Sequence, residues 1–309
     1  MPDFLRTQWL TSPMMRGGDV VQAQQQLNKS GAAIACDGIF GRATRDAVLA
    51  FQKRKTALKQ DGVIGPQTWS MLFGTSPPAV PDRVTADAFG TGGAAALATM
   101  HGYYGDGVRW ALGAKGVTID GEAAPQWGAD ETAGVQKVFS TYADALVTVL
   151  SKVPVPIELV IACICVESSG EAIAERCEKG CSTIDPALTP SRVSVGLMQT
   201  LLSTAASVMD KPVTIADLRD PLTSIEAGAT YMWRQSRATR FDPPLVACAY
   251  NAGSLRHNGS AQNRWKLVQY PIGTSEYADK FVRFFNAAKN DPNVSAKVTA
   301  LAGRIATLP

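Results

Sequence analysis

The sequence predicts a mainly helical protein of two domains. Three observations carry that expectation. A turn motif repeats between short helical stretches near the amino end, a proline-rich break follows residue 74, and helical periodicity punctuated by proline and glycine fills the rest. At 309 residues the chain is long enough for two separate cores. With 46% hydrophobic and 18% charged residues its composition suits a globular protein and not a disordered one.

The first helix is expected in "GGDVVQAQQQLNKSG", with Val20, Gln24 and Leu27 on one side and Gly31 closing it. "DGIFGRAT" begins at Asp37 and "DGVIGPQT" at Asp61, so one motif recurs at an offset of 24 residues. In each copy the glycines suit a tight turn with positive φ, and the Thr falls in the first turn of a helix, where Pro66 also fits. Ala47, Val48 and Phe51 share a face after the first copy, as do Trp69 and Leu72 after the second. Asp37, Thr44, Asp61 and Thr68 have two roles open to them: capping these helices or touching a ligand.

Charge is unevenly placed. Residues 1–74 carry a net +4 and the remainder −1. A small basic module suits attraction to an anionic surface, whereas +3 overall is too mild to imply nucleic acid. The stretch Gly17–Leu72 resembles the three-helix peptidoglycan-binding domain of bacterial and phage cell-wall enzymes. The resemblance lies in "DVVQAQQQL", both Asp-Gly turns, "AVLAFQ" and "TWSML". It implies peptidoglycan as the partner. "TSPPAVPDRVTADAFGTGG" then has three prolines in seven residues and no apolar periodicity. The expected boundaries are 1–74 for a peptidoglycan-binding domain, 75–90 for a linker and 91–309 for a catalytic domain.

In the second part, "ETAGVQKVFSTYADALVTVLSKV" sets Val135, Val138, Phe139, Tyr142, Leu146 and Leu150 on one side. Pro154 and Pro156 break that helix. "IELVIACICVES" is apolar all round and predicts a buried central helix, yet it ends on Glu167. Either the helix ends and Glu167 points into water, or burial raises its pKa and keeps a proton on it. A glycosidase acid needs the second arrangement. No strand-like alternation of useful length is visible, so helical structure is expected from about residue 95 onward.

Three more stretches mix glycine, apolar residues and single amides or hydroxyls: "SVGLMQT", "DPLTSIEAGATYMWRQ" and "ACAYNAGS". A sugar site needs that mixture. Their order after Glu-Ser resembles the soluble lytic transglycosylase family, related in fold to goose-type lysozyme, over roughly Pro154 to Phe285. The resemblance implies a lysozyme-like helical domain with Glu167 as catalytic acid/base. It implies substrate contacts from Ser168, Met198, Gln199, Tyr231, Tyr250 and Asn251, and from Tyr277 in "GTSEYADKFVRFF". Family members have Asn-Ile before Gly-x-x-Tyr where this chain has Ser224-Ile225, and the segment between Glu167 and Gly196 looks longer than usual.

Most glycosidases use two carboxylates. None lies within Gly-Leu-Met-Gln or Ala-Tyr-Asn-Ala-Gly, which favours a one-carboxylate route: cleavage of the MurNAc–GlcNAc bond by Glu167 with closure to a 1,6-anhydro end. The alternatives are a hydrolytic muramidase of the same fold, with Asp185 or Glu171 positioning water, and a non-catalytic wall-binding virion protein. No metal or other cofactor is expected, since only His101 and His257 exist.

Cys36, Cys163, Cys165 and Cys248 read as small core hydrophobes. Cys177 and Cys181, in "ERCEKGCST", either pair or remain free thiols. "MPDFLRTQWLTSPMM" lacks the apolar core of a secretory leader, and no stretch reaches the length of a membrane span. The combined parts resemble a phage or prophage endolysin. That implies a monomer made in the host cytoplasm, released by a holin, and acting on peptidoglycan without nucleic acid or membrane as partner.

Overall fold

The structure is a computed structural model and describes residues 8, 10, 14–55, 58, 60–74, 97–178 and 189–297. The chain divides into two compact units, Met1–Asp82 and Arg83–Pro309. The expected linker at 75–90 lies outside the described residues.

The first unit holds α1 (Gly18–Lys29), α2 (Arg42–Lys53) and α3 (Pro66–Phe73). Val20, Leu27, Phe40, Val48, Phe51, Ile64, Trp69 and Leu72 make its core. Each Asp-Gly turn is organised by a glutamine from the preceding helix. Gln24 Nε2 donates to Asp37 Oδ1 (2.9 Å), the Ile39 carbonyl (3.0 Å) and Thr44 Oγ1 (3.1 Å), while its Oε1 accepts from Gly38 N (2.9 Å). Gln52 repeats the set with Asp61, Val63, Thr68 and Gly62. Gly38 and Gly62 take φ of +71° and +72°, the left-handed region that glycine enters without strain.

These contacts correct the capping role expected of the four polar turn residues. The helix N-caps are Gly41 and Gly65, with no side-chain cap. Thr44 and Thr68 are buried against the glutamines and present nothing to a ligand. Asp37 and Asp61 each accept from their own turn, at Ile39 N and Val63 N. Thr44 and Thr68 are framework of the turns, because a buried polar group must be satisfied internally, whereas Asp37 and Asp61 brace their turns from exposed positions.

In the second unit a hairpin comes first, β1 (Trp110–Gly113) and β2 (Gly116–Ile119), antiparallel. It corrects the expectation of helical structure from about residue 95, because strands of four residues are too short to show alternation. The hairpin docks on a distant helix: Asn286 Oδ1 accepts from Val117 N (2.7 Å), and any Cβ at Gly116 would collide with that oxygen.

Helices α4 (Ala129–Leu150) and α5 (Ile157–Glu167) follow. Residue 157 and residues 159–165 of α5 are buried, and Glu158 in its first turn lies 3.7 Å from Lys289. Beyond α5 come β3 (Glu175–Cys177), β4 (Val193–Val195) and β5 (Thr200–Leu201), a three-stranded antiparallel sheet in chain order. Then follow α6 (Leu202–Met209), α7 (Ile215–Arg219), α8 (Pro221–Arg234), α9 (Ser236–Thr239), α10 (Pro243–Ala252) and α11 (Glu276–Asn290). The central helix α5 is surrounded by α4, α8, α10 and α11. That enclosure explains an all-apolar helix inside a polar protein. Cys163, Cys165 and Cys248 are buried in it; Cys36 is exposed, contrary to expectation, with Asn28 Nδ2 3.4 Å from its sulfur. Cys177 is disulfide-bonded, and Cys181 lies outside the described residues.

Candidate active site

Glu167 is the last residue of α5, and its side chain is only 6% exposed. Tyr277, from the first turn of α11, donates its hydroxyl to Glu167 Oε1 at 2.5 Å. Arg176 Nη2, from the middle of β3, stands 3.6 Å from Oε2. Burial pushes the Glu167 carboxyl up to about 7. The Tyr277 hydrogen bond and the charges of Arg176 and Lys280 oppose that rise, while Glu178 adds to it. Near neutral pH the group therefore exists in both protonation states.

The turn after Glu167 is fastened from several sides. Ser168 Oγ lies 2.7 Å from the Leu197 carbonyl, and Tyr142 donates to the Gly170 carbonyl (2.9 Å). Ser169 and Gly170 both have positive φ. Ser168 thus ties the end of α5 to the Gly196–Gln199 turn and spends its hydroxyl inside the protein.

The glycine-containing motifs have physical reasons. A Cβ at Gly196 would run into the Leu218 carbonyl oxygen, and one at Gly228 into the Met198 side chain. Met198 is fully buried against α8 and offers no atom to a ligand, which corrects its expected role as a sugar contact. Gln199, at φ +44°, gives both amide hydrogens to the Ala174 (2.9 Å) and Gly196 (3.0 Å) carbonyls. Tyr250 donates to the Met198 carbonyl (2.8 Å), and its ring meets Tyr231 edge-on at 5.4 Å. Asn251 closes α10, with its Oδ1 accepting from Tyr270 N at 2.5 Å. Glu167 and Tyr277 are joined directly. Ser168, Met198, Gln199 and Tyr250 form the floor beneath, while Asn251 is only partly buried.

Two residues escape sequence reasoning. Arg176 sits in a run of charges that read as solvated. Tyr270 is 52% exposed beside Asn251, and only its bond to that residue marks it. Of the acids proposed as water-positioning partners, Glu171 is ion-paired with Lys137 on α4 (2.8 Å), and Asp185 lies outside the described residues. Among the described residues no cluster of three or more His, Cys, Asp or Glu side chains could hold a metal ion, and no helix is long and apolar enough to cross a membrane.

Residues 150–269, which contain most of this constellation, match the transglycosylase SLT domain family, and residues 16–72 match a peptidoglycan binding domain family. The chain is a peptidoglycan-binding module joined to an SLT transglycosylase domain. Peptidoglycan is the polymer of both modules, and the chain is a peptidoglycan-degrading enzyme of lytic transglycosylase type. A solved structure, the Burkholderia AP3 phage endolysin, is similar at 19% identity over 94% of this chain and 100% of that chain, with a TM-score of 0.30. The SLT match begins at residue 150, so the β1–β2 hairpin and most of α4 lie outside it.

Proposed function

We propose that this SLT domain cleaves the MurNAc–GlcNAc β-1,4 bond without water, leaving 1,6-anhydro-MurNAc ends. The observation that carries the reading is the buried carboxyl of Glu167, poised at about 7 and hydrogen-bonded to Tyr277. Its closest acidic neighbour in charge, Glu178, is occupied by Arg176 (3.1 Å) and Ser194 (2.6 Å). Glu167 protonates the glycosidic oxygen as the C1–O bond breaks. The muramyl 6-hydroxyl oxygen then bonds to C1, and its proton returns to Glu167. Tyr277 orients the carboxyl, and Asn251 and Tyr250 border the sugar. Gln199 has only its Oε1 left for a substrate donor.

The basic first module concentrates the enzyme on the polymer, with residues 75–90 as linker and 91–309 as the catalytic domain. Pairing a wall-binding with a wall-cutting module supports an endolysin role, with release from the cytoplasm by a separate pore. Mass spectrometry of digested sacculi tests the chemistry. Anhydro ends are expected, and reducing ends heavier by one water would replace this reading with a muramidase.

A further inference from the structure

Arg176 and Glu178 form a fixed pair at the mouth of the site. Arg176 lies on β3 and Glu178 just past its end, and β3 is held in register by β4, with Arg176 opposite Ser194. Arg176 Nε donates to Glu178 Oε1 at 3.1 Å, and Ser194 Oγ donates to the same oxygen at 2.6 Å. The guanidinium is thereby clamped at one edge, and its Nη2 is aimed at Glu167 Oε2. At 3.6 Å that approach is longer than a hydrogen bond, so it acts through charge in the resting enzyme.

We propose that Arg176 is a positioning residue for the return of the proton: its clamped guanidinium favours the carboxylate form of Glu167 after the glycosidic oxygen has been protonated, so that the same group can act as base toward the 6-hydroxyl. The inference rests on the one-carboxylate reading above. A buried Glu167 that has lost its proton is an anion with little solvent. Among the described residues the groups around it are few. Tyr277 and Lys280 face it from α11, Tyr250 from α10, Cys163 from one turn earlier on α5, and Arg176 and Glu178 from β3 and its end. Tyr250, Tyr277 and Cys163 stay neutral, since burial pushes all three well above their ordinary values. Among the described residues the positive charge available to the anion is therefore that of Arg176 and Lys280, and Arg176 has the larger influence of the two.

Arg176 is 54% exposed, so its charge is partly screened and its effect should shrink with added salt. The test is a carboxyl-carbon NMR titration of Glu167 in the substrate-free full chain, assigned with Glu167→Gln, beside pH profiles of kcat and kcat/KM on soluble muropeptides. Arg176→Gln should raise the Glu167 midpoint by roughly half to one pH unit at low salt. Its kcat should fall more than its KM rises. Arg176→Lys should restore most of the midpoint. A midpoint that is the same in Arg176→Gln and the parent overturns the proposal, as does a raised midpoint without any change in kcat. The titration needs no substrate, so hydrolytic products would sink the one-carboxylate reading while leaving the Arg176–Glu167 coupling to be judged on its own.

Discussion

The Tyr277 hydroxyl and the Glu167 carboxylate meet at 2.5 Å, joining the start of α11 to the end of α5 across 110 residues of sequence. A hydrogen bond to the ionised carboxyl favours that form. Tyr277→Phe should therefore move the alkaline limb of the pH–activity profile, where Glu167 loses the proton it must donate, upward from about 7 by roughly one unit. Activity at pH 7 should nonetheless drop about tenfold or more, because the carboxyl loses the charge-assisted hydrogen bond that orients it. A profile that keeps its midpoint would show that Tyr277 does not hold the reacting carboxyl.

Glu167→Gln should abolish clearing of peptidoglycan in a zymogram, by at least about 100-fold in rate. It should also stabilise the fold, with a definite pH dependence. The folded-state pKa of Glu167 is raised from 4.5 to about 7, so the native state binds the extra proton between those values. Parent stability then falls as pH rises through that window. The advantage of the Gln variant should be absent near pH 4 and reach on the order of 3 kcal/mol above pH 7. Denaturant unfolding at a series of pH values measures it; a constant difference would contradict the burial of this carboxyl.

Gln24→Ala or Gln52→Ala should unfasten one Asp-Gly turn each. Every such change leaves a buried Thr and turn backbone groups without their partner, at a loss of about 2–4 kcal/mol. The unfolding transition of the first unit should shift while that of the second stays. Equal shifts in both would mean that the two units do not unfold separately.

Residues 85–309 alone should cleave short soluble muropeptides nearly as well as the full chain. On intact sacculi they should be weaker, most visibly at low enzyme concentration, because tethering raises effective concentration without altering chemistry. Added salt should reproduce part of that loss if the +4 charge of residues 1–74 contributes. Equal losses on both substrates would place the first unit inside the catalytic fold.

The run from Ile157 to Glu167 is legible in the amino-acid sequence as a buried helix with an acid at its end, because no other arrangement suits eight buried positions among eleven residues. The repeated Asp-Gly turns are equally plain, but their glutamine hubs are not: Gln24 and Gln52 occupy ordinary helical positions, and only three dimensions show what they reach. Four-residue strands hide the hairpin at 110–119, and the asparagine that anchors it is 169 residues away in the chain. Arg176 is hidden because alternating charges in "ERCEKG" read as solvent-facing until β4 fixes which way the strand turns.

His101 and Trp110 both reach Asp242, the residue just ahead of α10, at 2.9 Å, and Asp242 is almost completely buried. His101 and Trp110 lie upstream of the matched family region, whereas Asp242 lies within it. Genetic exchange that joined a new partner at residue 150 would strand this carboxylate without its indole and imidazole. A catalytic unit that keeps this carboxylate satisfied therefore has to begin before residue 101, well upstream of where the family match starts.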